Sequence, residues 1–191
     1  PSNYIILVGT YSSSIIGTVY QFATLDTLGD TWVSYSSFTS SDGQINDCFG
    51  YSLYSARWVQ NSGLSLYGVY GYTVISAINS NSKGAVYIYN NIISNGIINA
   101  IELKKITGSD ILNNDNYGKS ITSLKYDNNI CYLAIGVPNK EQNKGQVYLY
   151  YSKDRFETKT ELILTAFDGI SGDLFGQSVQ LINYDYSNNY N

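Results

Sequence analysis

The chain has 191 residues, 43% of them hydrophobic and only 14% charged, with a formal net charge of −4 and no histidine. That composition excludes imidazole metal ligands and histidine-based acid–base or triad chemistry. It also lacks the Lys/Arg cluster that would neutralise phosphates, which argues against nucleic acid as a partner. No run of about 18 apolar residues is long enough to insert in a membrane. Ser, Thr, Asn, Gly and 20 tyrosines supply the polar surface instead of charge. The chain starts at Pro1 and contains no methionine, which points to a segment of something longer. Cys48 and Cys131 admit two readings, a pair of buried thiols or a disulfide.

Taken in order, Asn3–Gly9 reads as a short buried strand, β-branched and aliphatic and ending on glycine. Gly17–Phe22 reads as a second strand and Thr31–Phe38 as a third, more alternating one. A fourth starts at Phe49 and runs to Val59. The cycle then returns: Leu66–Gly71 matches the Gly9 strand, Gly84–Tyr89 the Gly17 strand, and Ile97–Thr107 the alternating one. Tyr117–Lys125, Cys131–Pro138, Gly145–Tyr150 and Lys159–Thr165 make a further round. Phe175–Tyr184 opens another. No stretch sustains a 3.6-residue apolar period, so the chain is expected to be all-β.

One motif recurs three times without a gap. Asp42 is followed by Asp47, Phe49-Gly50, Ser52 and Leu53; Asp110 by Asp115, Tyr117-Gly118, Ser120 and Ile121; Asp168 by Asp173, Phe175-Gly176, Ser178 and Val179. The copies are 68 and then 58 residues apart. The difference falls between strand landmarks, as expected of a rigid scaffold with tolerant loops. Val86–Tyr89 and Val147–Tyr150 are apolar or aromatic at every position, so both faces of that strand call for burial. Sheets stacked face to face would provide it.

Aromatic-Gly-x-Ser-aliphatic, then an aliphatic strand ending Gly136-Val137-Pro138, then Gly145-x-Val-Tyr-Leu-Tyr, resembles the FG-GAP repeat of integrin α-subunit-like β-propellers. The resemblance implies a propeller of four-stranded antiparallel blades with about three repeats present. Residues 1–46 would hold strands B–D of a first blade, 47–114 a second blade and 115–172 a third. Residues 173–191 would hold strand A of a closing or following blade. Three blades are too few to close, which implies a segment of a larger propeller or a ring completed by a partner, such as a second copy. Many such blades carry a calcium loop of alternating acidic residues. Here the matching stretches, Val59–Ser65 and Tyr126–Ile130, hold no carboxylate and one carboxylate, and a third loop at Asp185 and Asn188 stops short. No metal or other cofactor is therefore expected.

The motif residues are read as structural: the glycine permits close backbone approach, the ring fills space between sheets, and the aspartates accept backbone N–H bonds in the turn. The Asp pairs could also be read as acid–base carboxylates. A catalytic pair is needed once rather than three times, so the chain is not expected to be an enzyme. The expected function is binding or adhesion, with a protein or glycan met through the B–C loops Thr10–Ile16, Tyr72–Lys83 and Pro138–Lys144. Tyr11, Tyr72, Asn79, Lys140 and Glu141 are the candidate contacts. The alternative is a structural assembly protein of a filament, fibre, capsid or surface layer, packed through Tyr/Asn-rich surfaces. Either reading places the chain outside the cell, on a cell surface or on a virion.

Overall fold

The computed structural model describes residues 5–24, 31–59, 69–94, 97–125, 130–154 and 156–182. The chain is all-β. Among the described residues eleven strands build three antiparallel sheets, each an uncrossed meander of neighbours in sequence. The N-terminal sheet comprises β1 (Ile5–Thr10), β2 (Thr18–Thr24) and β3 (Trp32–Phe38). The middle sheet comprises β4 (Phe49–Val59), β5 (Val69–Ala77), β6 (Ala85–Ser94) and β7 (Ile97–Ile106). The C-terminal sheet comprises β8 (Ser120–Lys125), β9 (Cys131–Val137), β10 (Gln146–Ser152) and β11 (Thr160–Leu164). The strands are rich in Val, Ile, Tyr and Thr, the residues that suit a pleated, half-buried surface.

The sheets stack face to face. Leu7, Val19 and Phe38 of the first pack with Phe49, Ile75, Tyr87 and Tyr89 of the middle sheet. The opposite face of the middle sheet, with Tyr72, Val74, Val86, Ile88 and Ile106, packs with Ile121, Leu133, Ile135, Tyr148 and Tyr150. The middle sheet is therefore buried on both sides, as the unbroken apolar run at β6 predicts. Each fully buried side chain of this kind contributes about 1.5–3 kcal/mol. Among the described residues the three sheets form no closed ring. Ile6, Val8 and Tyr20 remain exposed on one end, Leu162 and Leu164 on the other.

Cross-strand register corrects the alignment of the repeats. Val19, Val86 and Val147 stand opposite Gly9, Ser76 and Gly136. Gly71, expected to match Gly9 and Gly136, lies five residues before Ser76 and faces Asn91. A serine occupies the glycine position of the middle sheet, so a count from glycine to glycine misplaces β5. Residues 72–77 are consequently strand rather than loop. The β1–β2, β5–β6 and β9–β10 connections are also near-equal: eight residues from Gly9 to Gly17, eight from Ser76 to Gly84, nine from Gly136 to Gly145. The long, variable loop expected between β5 and β6 is not there. The strand expected from Phe175 onward is also not formed over the described residues 175–182. Among the described residues Phe175 makes an isolated parallel bridge with Gly145 and no ladder.

Candidate functional site

The three motif copies fold into one backbone conformation. The residue before the second aspartate is left-handed in two copies (Asn46, φ 75°; Asn114, φ 68°), and Gly172 (φ 96°) takes that place in the third. Cys48, Asn116 and Leu174 are left-handed one residue after that aspartate. The second aspartate closes the turn by accepting the N–H three residues earlier: Gln44 to Asp47 at 2.9 Å, Leu112 to Asp115 at 2.7 Å, Ile170 to Asp173 at 2.8 Å. The glycine after the aromatic residue is also left-handed at φ 91–94° (Gly50, Gly118, Gly176), and only glycine adopts that without strain. These turns then seat the motif backbone against the sheet before it. A Cβ on Gly9 or Gly136 would overlap the carbonyl of Gly50 or Gly176.

The first aspartate does something else: it bridges to a tyrosine on the next sheet. Tyr87 donates its hydroxyl to Asp42 at 2.7 Å, and Tyr148 donates to Asp110. Each carboxylate also meets an ammonium group. Lys105 of β7 reaches Asp42 at 2.7 Å and Ser80 Oγ at 3.1 Å. In the next junction Lys140, four residues beyond Gly136 as Ser80 is beyond Ser76, takes the serine's place. Its Nζ lies 3.3 Å from both Asp110 and Asp115. The hydrogen bond from Lys105 holds the Asp42 carboxyl below its usual range. For Asp110 burial pulls upward, and the bonds from Tyr148 and Lys140 outweigh it, so its pKa also falls.

A second network repeats one strand position further on. Tyr89 donates to Glu102 at 2.9 Å, and Ser41 donates to the same carboxylate at 2.7 Å. Tyr150 donates to Glu161 at 2.7 Å, and Ser109 completes that set. Burial, reinforced by the glutamates, pushes the Tyr89 and Tyr150 phenols well up. Asp42, Asp110 and Asp115 are thus committed to holding sheets together. The turn role expected of the aspartates belongs to the second of each pair, and in the first two copies the first aspartate clamps a junction.

The candidate contact residues separate into three groups. Tyr72 is buried in β5, its hydroxyl 2.6 Å from Ser123 Oγ across the junction, so it is not a surface contact. Lys140 is likewise buried, its amine spent on the aspartate clamp. Tyr11 and Glu141 are exposed; Glu141 accepts a bond from Gln146 at 2.9 Å. Asn79 is half-buried, its backbone N–H donating to the Asp47 carbonyl at 3.1 Å and its amide to Cys48 Sγ at 3.4 Å. Cys48 and Cys131 are both buried and are not bonded to each other, which decides against the disulfide.

Sequence reasoning missed what accompanies Tyr11. Its ring lies 4.8 Å from the ring of Tyr51, tilted at 45°. Lys119 sits over the opposite partner, its Nζ 4.6 Å from the Tyr51 centroid and hydrogen-bonded to the Tyr51 hydroxyl. Tyr51 and Lys119 each follow a motif glycine, so this row crosses all three sheets along one rim. A residue-by-residue comparison of the motif copies would have singled out that column. Among the described residues, no group of three or more His, Cys, Asp or Glu could hold a metal ion. Residues 60–65 and 126–129 of the expected calcium loops, with Asp185 and Asn188, lie outside the described residues. No protein-family model matches the chain, and no curated protein matches it.

Proposed function

We propose that the chain is a non-enzymatic binding module built from FG-GAP-type propeller units, presenting the Tyr11–Tyr51–Lys119 rim to an extracellular protein or glycan. The observation that carries this reading is the rim itself. It places the exposed Tyr11 ring and the half-buried Tyr51 ring beside an amine, the amphipathic chemistry that contact surfaces use. Of the repeated carboxylates, the one feature that suggested catalysis, Asp42, Asp110 and Asp115 are engaged in the sheet junctions and Asp47 and Asp173 in their turns. Screening the purified chain against extracellular proteins and a glycan panel tests the reading. A saturable ligand is expected, weakened at least about tenfold by Tyr11→Ala or Tyr51→Ala, the loss typical of an aromatic contact. Ligands insensitive to both changes would refute the rim as the site.

A second reading, a structural assembly protein, is favoured by a separate observation. Both ends of the stack leave apolar side chains exposed at positions that the internal junctions bury. Such end faces suit repeated packing in a filament, capsid or surface layer.

A further inference from the structure

We propose that two copies of this chain join end to end, with residues 178–182 of one copy adding as the missing first strand to β1 of the other. The inference rests on the assembly reading and is independent of the rim. Three sets of observations converge on it.

The first is an incomplete sheet facing an unused strand. The middle and C-terminal sheets each begin with the strand that follows the aromatic-Gly motif, β4 or β8, paired to β5 or β9. Among the described residues the N-terminal sheet has no such strand, and β1 is its edge. The third motif is docked like the first two, with Gly176 against Gly136 as Gly50 is against Gly9. The residues after it lie over β8, with Leu181 N–H donating to Thr122 Oγ1 at 3.3 Å. They form no ladder of their own. The register is dictated by the internal copies. Leu53 faces Ile75 and Ile121 faces Ile135, so Val179 would face Val8 and Leu181 would face Ile6. An open edge and an apolar extended segment are the two halves of strand addition.

The second is the end face. Val8, Tyr20 and Phe22 hold the register positions of Ile135, Tyr148 and Tyr150, all of which are fully buried against the preceding sheet. In the N-terminal sheet Val8 and Tyr20 are about two-fifths exposed, at 41% and 38%. Asp42 and Asp110 each bind the tyrosine at this position, so Asp168 of one copy has Tyr20 of the next as its counterpart.

The third is a matched exchange of chemistry. In both internal junctions a serine before the aspartate, a glutamate and a tyrosine hydroxyl form one network. At the proposed junction the corresponding residues are Phe167, Ser34 and Phe22. The serine and the tyrosine have both become phenylalanine, one on each of the two surfaces, and the glutamate is gone. A polar network is replaced on both sides by an apolar contact. Phe167 is fully exposed in the single chain, so the two ends do not meet within one copy.

The one element without a counterpart is the ammonium. Lys105 and Lys140 correspond to Ser37 and Ser13 in the N-terminal sheet, so Asp168 would meet hydroxyls alone. This supplies a gain-of-function test. Sedimentation equilibrium of the full chain from micromolar to millimolar concentration is expected to show mass rising above the 21.2 kDa of one copy. Val179→Pro removes a ladder N–H in a segment that is not a strand in the single chain. It is expected to weaken association at least about tenfold. Ser37→Lys, at an exposed site, is expected to tighten it roughly fivefold by restoring the charge-assisted bond, and adding Asp168→Asn is expected to abolish that gain. A wild-type chain that stays monomeric throughout, or association indifferent to Val179→Pro and Ser37→Lys, would overturn the proposal. Ligand binding measured on the same variants separates the two readings, because neither position lies on the Tyr11–Tyr51–Lys119 rim.

Discussion

Replacing Lys140 by serine copies the middle sheet, where Ser80 stands at that position and Lys105 brings the amine from β7. The magnitude follows from burial. The Lys140 side chain is 7% exposed and that of Asp115 10%, whereas Asp110 is 53% exposed. Breaking a buried ion pair costs about 3–5 kcal/mol, and an exposed pair contributes about 0–1 kcal/mol. With one partner of each kind, and with Asp115 keeping its bond from Leu112 N–H, Lys140→Ser is expected to cost about 2–3 kcal/mol. In a domain of this size that lowers Tm by roughly 4–12 °C. The informative variant is the rescue. Ile163 faces Tyr148 as Lys105 faces Tyr87, so Lys140→Ser with Ile163→Lys rebuilds the first junction inside the second. Ile163→Lys alone is expected to change stability by no more than about 0.5 kcal/mol, as exposed substitutions do. Combined with Lys140→Ser it should recover about 1 kcal/mol or more. Urea titrations followed by tyrosine and tryptophan fluorescence measure all four corners of the cycle. Strict additivity, with no recovery in the double variant, would refute the claim that the two lysines serve one position.

The remaining predictions concern backbone and pH. Gly17→Ala combines φ +100° with an overlap onto the Phe49 backbone and is expected to cost more than about 3 kcal/mol, whereas Gly172→Ala (φ +96°, no neighbour within 4 Å) should cost only about 1 kcal/mol of strain; comparing their urea midpoints checks the contrast. Asp42 and Asp110 both titrate below 3.8 in the folded chain, so their contribution is complete above that pH and is lost as pH falls further through the folded values. A stability profile from pH 5 downward should therefore flatten in the Asp42→Asn/Asp110→Asn variant. Tyr89, Tyr148 and Tyr150 titrate above the ordinary 10.0, so stability should fall as pH rises past that value, and Tyr150→Phe should blunt the fall.

Local signals were legible in the sequence and long-range ones were not. The motif could be read residue by residue because its backbone is dictated within ten residues, by aspartates that close the turn and by residues that tolerate positive φ. Two-sided burial of β6 followed from its unbroken apolar run. The amine at each junction could not be read the same way. Lys105 and Lys140 occupy different columns of the repeat and converge only in space. Tyr72 and Lys140 read as surface residues in the sequence because their positions resemble loop and their side chains are amphipathic. Register and the packing of the neighbouring sheet decide otherwise. The Tyr11–Tyr51–Lys119 row was hidden for a different reason: Tyr51 and Lys119 share a motif column, but Tyr11 lies outside the motif and joins them only in space.

The glycine contact at the first junction sets how closely two sheets can approach. Where Gly50 meets Gly9 two backbones touch with no side chain between them, while the Tyr87 ring of β6 fills the space between the same two sheets. That junction is therefore thin beside β1 and β4 and thicker towards β6. Any side chain at Gly9 would wedge it open along its thin edge and swing β1 away from β4.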